Sequence, residues 1–332
     1  MKVMVTGGAG YIGSHVVLEL LARGHEVVVV DNLSTGHREL VPNEADLVVV
    51  DVGEGRRIRE VLDRSGAEAV MHFAGSIVVP ESVENPLLYY QNNTAKSREL
   101  MAACVDQGVK RFVFSSTAAV YGEPAISPVS ETMTAQPVNP YGRSKLMTEW
   151  MLEDLARAEE GFEYVALRYF NVAGADGAGR SGQVVKDATH LIKVAVQTAL
   201  GMREKLTIFG NDYPTHDGTC VRDYIHVSDL AAIHVEALEY LRAGGKSVAL
   251  NCGYGRGFSV REVVEMVKKV SGVDFVVEEG ERRPGDPAQL VADPRRVREV
   301  FGWAPKHQDL EEIVATALAW EERVGGEALT PG

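Results

Sequence analysis

A phenol and an ammonium stand four residues apart in Tyr141-Gly142-Arg143-Ser144-Lys145 and share one face if the segment is helical. A cation beside a phenol favours phenolate, which turns a poor base into a usable one near neutral pH. The pattern is common by chance and alone reads as a surface helix with a Tyr beside a Lys. What raises it is Ser115-Ser116-Thr117, which directly follows a short apolar run. At the carboxyl edge of an α/β sheet, where such folds bind ligands, a hydroxyl there could share a proton with a substrate alcohol. A single Ser or Thr after a strand is otherwise a turn or a helix cap, so the weight rests on the three-part set of Thr117, Tyr141 and Lys145.

Near the start, Gly7-Gly8-Ala9-Gly10-Tyr11-Ile12-Gly13 fits G-x-x-G-x-x-G spacing and, from Gly8, G-x-G-x-x-G spacing. Glycine is needed where the chain must turn sharply and let a pyrophosphate approach the amides of a helix N-terminus. Glycine-rich turns also occur for packing reasons. Here Asp31 follows a β-branched run, eighteen residues past Gly13. A carboxylate at that place can hydrogen-bond both hydroxyls of an adenosine ribose and repels a 2′-phosphate, so NAD is expected rather than NADP. Asp51 and Val52, at the end of a third apolar run, are a candidate adenine contact or an ordinary strand end.

The elements that must position these groups are legible as an alternation. Val3 to Thr6 is a short apolar run; after the glycine turn, Ile12, Val16, Val17, Leu20 and Leu21 recur at helical spacing until Gly24. Val27 to Val30 are apolar on both faces, the mark of a parallel strand covered on both sides. Runs at Leu47 to Val50, Ala69 to Met71 and Phe112 to Phe114 repeat the pattern, with helical spacing between them, as in Leu87 to Val105. The expected fold is α/β, a Rossmann-type doubly wound parallel sheet with a smaller, mixed C-terminal lobe. Residues 1–172 would form the dinucleotide-binding part, 173–332 mainly the substrate lobe, with segments around 220–245 returning to the first part.

Composition narrows the partners. With 34 Lys and Arg against 47 Asp and Glu, the net charge is −13, and no local run supplies the basic face a polyanion needs, so nucleic acid is not expected. The hydrophobic fraction of 45% and charged fraction of 24% are those of an ordinary globular chain. Cys104, Cys220 and Cys252 form no Cys-x-x-Cys pair and read as reduced thiols; with no apolar run of about 20 residues and no leader pattern, a cytoplasmic protein without a membrane partner is expected. The nine His residues include no H-E-x-x-H, and G-x-S-x-G is missing, so neither a metal site nor a serine triad is expected.

Further runs extend over nearly the whole chain: DNLSTG at 31–36, HFAG at 72–75, YYQNN at 89–93, SSTAAVYG at 115–122, RYFNVAGA at 168–175, IFGNDYPTHDGTCVRDYIHVSDLA at 208–231 and RRPGD at 282–286. With these the sequence resembles the extended short-chain dehydrogenase/reductase family, and within it the nucleotide-sugar 4-epimerases. That resemblance implies interconversion of UDP-galactose and UDP-glucose. NAD would accept hydride from sugar C4, Tyr141 would take the hydroxyl proton, and the 4-keto sugar would turn about its pyrophosphate before hydride returns to the other face. It implies cofactor contacts from Gly7, Gly10, Tyr11, Ile12, Gly13, Asp31, Asn32, Asp51, Val52, Phe73, Ala74, Gly75, Asn92, Ser115, Tyr141, Lys145 and Tyr169. Substrate contacts are implied for Thr117, Tyr141, Asn171, His190, Leu191, Phe209, Arg222, Tyr224, Arg283 and Asp286. The two arginines would clamp the pyrophosphate, Phe209 would meet the uracil and Asp286 a ribose hydroxyl. A homodimer is implied, paired through helices near 87–105 and 141–158.

Three positions depart from the family pattern. Ile77 stands where many relatives carry Lys, His190 where Asn is frequent, and Leu290 where some carry Tyr. A smaller residue at 290 would leave room for an N-acetylated hexosamine, so a 4-epimerase of UDP-N-acetylglucosamine or of a UDP-pentose stays open, as does an NAD-binding regulator without catalysis. A 4,6-dehydratase needs an acid and a base after the Thr, and this chain has Ala118 and Ala119 there.

Overall fold

The computed structural model describes residues 1–184, 189–283 and 285–326. Its first half runs β1 (Lys2–Thr6), α1 (Tyr11–Ala22), β2 (Glu26–Asp31), β3 (Asp46–Val49), α2 (Gly55–Ser65), β4 (Ala69–His72), α3 (Val79–Glu84), α4 (Pro86–Tyr89), α5 (Lys96–Asp106), β5 (Arg111–Thr117), α6 (Pro140–Ala158) and β6 (Glu163–Tyr169). Then follow β7 (Asn171–Ala173), α7 (Leu191–Ala199), β8 (Leu206–Phe209), β9 (Val221–His226), α8 (Val227–Arg242), β10 (Val248–Cys252), β11 (Gly257–Ser259), α9 (Val260–Ser271), β12 (Val277–Gly280), β13 (Gln289–Leu290), α10 (Arg295–Phe301) and α11 (Leu310–Gly326).

Seven strands form one sheet in the order β10-β6-β5-β4-β1-β2-β3, with all pairs parallel. Strand alternation divides the side chains between two cores. Val3, Val5, Val27 and Val29 enter one apolar cluster with Val16, Val17 and Leu20 of α1 and Ile233 of α8. Met4, Val28 and Val30 enter the other with Ile58 of α2, Leu100 of α5 and Leu152 of α6. Fully burying each such side chain contributes on the order of 1.5–3 kcal/mol, so the sheet is fixed from both sides. The expected doubly wound sheet is present. Its β3 lies at an edge and is half-covered rather than buried on both faces. β10, which its run of Val, Ala, Leu, Asn and Cys does not announce, pairs with β6 along its whole length.

The smaller sheet places β9 at its centre, with β7 and β13 parallel to it and β11 antiparallel; β8 and β12 form a separate parallel pair. α8 packs on α1 and across β5 and β6, while α7, α9 and α11 pack together. The apolar cluster on the α1 side continues without a break through Ile192, Leu206, Val263 and Ile313.

Strand order changes direction between β1 and β4, with helices on opposite faces. A crevice therefore opens beyond the carboxyl ends of the large sheet's strands, where open α/β sheets bind ligands. The segment expected as one helix over 87–105 is interrupted. A π-helical turn at Tyr90–Ala95 lies between α4 and α5. Such widened turns are rare and concentrate at functional sites; this one carries Asn92 and Asn93.

Candidate active site

β1 delivers the chain to the glycine turn. Gly7 has φ +71°, and a Cβ there would meet the Ala74 amide nitrogen at 2.6 Å; a Cβ at Gly13 would meet the Gly7 carbonyl oxygen at 2.2 Å. Only glycine lets the turn pass this close to the end of β4 and to its own helix. α1 then begins with Gly10 as N-cap, no capping side chain and no acidic residue in its first turn. The free amides and the dipole of a twelve-residue helix thus face a backbone cradle with room for a pyrophosphate. Asp31, at the end of β2, is buried; its carboxylate accepts from the Ala9 amide at 3.0 Å and the Leu33 amide at 2.9 Å. Burial pushes its pKa up and these two bonds pull it down. The acid therefore braces the turn as well as standing where a ribose would lie.

The neighbouring candidates fall into place around this turn. Asp51 accepts from Lys96 at 2.7 Å and from Asn32 at 2.8 Å; burial acts against these bonds, which still hold its pKa below the usual range. Val52 is buried beside it. The Phe73 amide donates to the Thr6 carbonyl, and the Phe73 ring lies 4.8 Å from His234. Asn92 donates to the Ser76 hydroxyl at 3.0 Å, while Asn93, which the sequence reading passed over, ties Ser76 to the Ser144 hydroxyl of α6. Ile77, at the position of the missing lysine, is exposed. The residues present fit a dinucleotide: a glycine-only cradle, uncapped amides and a buried acid at the next strand end.

Thr117 ends β5, and its hydroxyl oxygen accepts from the Ala119 amide at 3.1 Å, capping a short 3₁₀ turn. The same side chain faces the Tyr141 phenol and favours its ionised form against burial. Two features of α6 bring that phenol in. Asn139 caps the helix by accepting from the Gly142 amide at 2.8 Å, and Pro140 fixes the first turn. Gly142 then lets α6 approach the 3₁₀ turn, since a Cβ there would lie 2.6 Å from the Ala119 carbonyl oxygen. One helical turn on, Lys145 is buried, donates to the Ser115 carbonyl at 3.0 Å and sits 5.0 Å over the Phe114 ring. Tyr169, paired with Thr117 in the β5–β6 register, shares a hydrogen bond of 2.6 Å with Ser115.

The electrostatics differ from the expectation of a phenol acidified by Lys145. Burial raises the Tyr141 pKa, and the Thr117 hydroxyl is the opposing influence. Burial also lowers Lys145, to about 8, against the pull of Glu149. The ammonium is spent on the Ser115 carbonyl, so in the protein alone the phenol keeps its proton.

On the small sheet, Asn171 of β7 stands opposite Tyr224 of β9. Arg222 of β9 is buried and bonds the Asp286 carboxylate. The Asp286 amide donates to the Arg283 carbonyl at 3.4 Å, which sets both arginines at one turn. Arg283 stacks its guanidinium 3.9 Å from the Phe209 ring centre. His190 is the N-cap of α7 without capping it through its side chain, and its Nδ1 lies 2.8 Å from Nε2 of the Gln183 side chain; Leu191 opens the helix. Leu290 of β13 pairs with Arg222. Sequence reading also missed the buried Glu149–Arg168 pair, whose one signal is that Glu149 falls four residues past Lys145 on the same helical face.

The family model for the NAD dependent epimerase/dehydratase family matches residues 3–253, and the chain belongs to that family. Among its relatives is the UDP-glucose 4-epimerase of Azospirillum brasilense, 57% identical over 334 residues, covering 100% of this chain and 96% of that protein. The UDP-glucose 4-epimerase from Brucella ovis, solved in complex with NAD, superimposes with a TM-score of 0.93 at 45% identity, over 96% of this chain and 97% of that one. The UDP-Glc/GlcNAc 4-epimerase from Campylobacter jejuni superimposes with a TM-score of 0.86 at 48% identity, over 97% of this chain and 99% of that one.

Proposed function

We propose that the chain is an NAD-dependent isomerase that inverts C4 of a UDP-hexose, interconverting UDP-galactose and UDP-glucose. The observation that carries this reading is the set formed by Thr117 at the end of β5, the buried Tyr141 phenol that it faces, and Lys145 buried one turn behind on α6. Bound NAD supplies a reversible hydride acceptor for the C4 hydrogen, and the positive charge of its oxidised ring favours phenolate. Thr117 holds the C4 hydroxyl toward Tyr141, whose phenolic oxygen takes the hydroxyl proton and later returns it. Lys145 adds positive charge behind the phenol and would hold the ribose that carries the nicotinamide. Tyr169 and Ser115 close the wall on that side.

Arg222 and Arg283 hold the substrate's pyrophosphate, so that the oxidised sugar can turn while the nucleotide stays fixed. Asp286 must share Arg222 with that pyrophosphate, Phe209 offers its exposed face to the uracil, and Asn171, His190, Leu191 and Tyr224 line the space between. Incubation with UDP-galactose and no added NAD is expected to yield UDP-glucose; Tyr141→Phe is expected to slow it by at least about two orders of magnitude, and near-native turnover in that variant would sink the mechanism. A leucine rather than a tyrosine at 290 would leave room beside the sugar, and detectable turnover of UDP-N-acetylglucosamine is the expected consequence.

The working form is a cytoplasmic homodimer serving galactose metabolism. Its support is the three buried free cysteines and the apolar side chains that α3, α4 and α6 leave exposed, Val83, Leu87 and Trp150. Among the described residues no helix is long and apolar enough to cross a membrane. Light scattering should give twice the chain mass, and Leu87→Glu with Trp150→Glu should halve it; a native chain already monomeric would remove the dimer.

A further inference from the structure

Behind Lys145 lies a buried ionic assembly that the site's own contacts leave unexplained. Glu149 follows Lys145 by four residues on α6, so the two side chains share one face of the helix. Its carboxylate is buried and takes donors from two strands. Arg168 of β6 forks onto it, with Nε 3.0 Å and 3.1 Å from the two oxygens and Nη2 2.5 Å from Oε2; Ser116 of β5 donates its hydroxyl to Oε1. Ser116 and Arg168 are register partners, so the strand pairing itself aims both at Glu149. Arg168 is anchored in turn by the Tyr121 hydroxyl at 2.9 Å, which donates to Asn251 at 2.7 Å.

Counting charge, the carboxylate is ion-paired with Arg168 and stands one helical turn from Lys145, beyond contact yet close enough to act on it through its charge. A buried carboxylate is expensive unless fully hydrogen-bonded, and this one is. Its other neighbour is the ammonium on which the proposed proton transfer depends. We propose that Glu149, locked by Arg168 and Ser116, is a positioning residue that serves as the internal counter-ion of Lys145, keeping that ammonium charged and aimed at the Ser115 carbonyl behind Tyr141. This rests on the functional reading above, in which Lys145 supports Tyr141.

The physical logic is one of choice between two cations. Without the carboxylate, Lys145 and Arg168 would be two like charges buried together. A guanidinium cannot give up its proton in a protein, whereas a lysine can, so the loss falls on Lys145. The groups facing Lys145 are few: Glu149 on its own helix, neutral His72 at the end of β4, the phenol of Tyr141, and the Ser115 carbonyl and Phe114 ring of β5. Glu149 is the one anion among them, and it raises the Lys145 pKa against burial.

The test is the pH profile of kcat/KM for the holoenzyme, native and Glu149→Gln, between pH 5.5 and 9. The alkaline limb is expected to move at least one unit toward acid in the variant, with activity lost at pH 8 regained at pH 6. Glu149→Asp, which keeps the charge, should restore part of the limb. A second readout is independent of turnover: calorimetric titration of NAD into the cofactor-stripped chain, in buffers of different ionisation enthalpy, should show proton uptake at lower pH in the variant. Should Glu149→Gln not fold, Glu149→Asp is to show a smaller shift in the same direction. A rate lowered equally at every pH, with unchanged proton uptake, would overturn the proposal and leave Glu149 a purely structural group. Should Tyr141→Phe turn over at a near-native rate, the functional reading fails instead, and the calorimetric readout still judges Glu149.

Discussion

Two opposed demands meet at Tyr141. The phenol must be buried to exclude water from a reacting alcohol, yet burial raises its pKa and holds the proton that it has to exchange. Thr117 is the one side chain that pulls the other way, so its hydroxyl acts on the phenol as well as on the sugar. Thr117→Val keeps the shape of the β5 end and removes the hydroxyl. It should lower kcat by about 10- to 100-fold, a loss between that of a single hydrogen bond and that of the base itself, with NAD content unchanged. Tyr141→Phe should cost kcat roughly 10²- to 10⁴-fold. Steady-state kinetics on both variants checks the order; a Thr117→Val loss equal to that of Tyr141→Phe would mean that the threonine does more than tune and position.

At the scale of elements, the site exists because α6 starts in contact with the turn after β5. Gly142 is the point of closest approach, and its missing side chain decides whether Tyr141 reaches Thr117. Gly142→Ala should improve helix propensity yet force α6 away from the Ala119 carbonyl. The expected net destabilisation is about 1–3 kcal/mol, with a larger proportional loss in kcat than in KM, read from thermal melts and kinetics together. An unaltered melt with unaltered kcat would show that the helix can slide without cost. The same contact explains what a sequence can and cannot reveal. Tyr141 and Lys145, the glycine turn and Asp31 are legible because their relations are local, set by helical spacing or by one strand-turn-helix unit. Glu149 with Arg168, and Arg222 with Asp286, are paired by strand register and by a turn 64 residues away, and no local spacing encodes them. β10 and the π turn at Tyr90–Ala95 escape for a related reason: neighbours impose them on sequences whose own preferences point elsewhere.

Across the whole molecule, four buried histidines make folding an acid-sensitive event. His15 of α1, His72 of β4, His226 of β9 and His234 of α8 lie in different parts of the chain, and burial lowers them to about 4, 3, 3 and 4. Each is neutral when folded and titrates near 6.5 when unfolded, so below that pH the unfolded chain binds more protons and stability falls as pH falls. Asp223 runs the opposite way. Burial raises it to about 6, so between there and the ordinary carboxylate range the folded chain binds the extra proton and gains stability as pH falls. Four protons against one leave a net of about three, or roughly 4 kcal/mol lost per pH unit between about pH 6 and 4.5. The loss across that window is about 6 kcal/mol, a large share of a total stability of about 5–15 kcal/mol, so the urea midpoint should drop steeply below pH 6. His72→Gln, which can still bond Thr6 and Ser97, should reduce the slope by about one proton, roughly 1.4 kcal/mol per pH unit. A urea midpoint that stays level from pH 7 to pH 5 would mean that these histidines gain protons inside the fold.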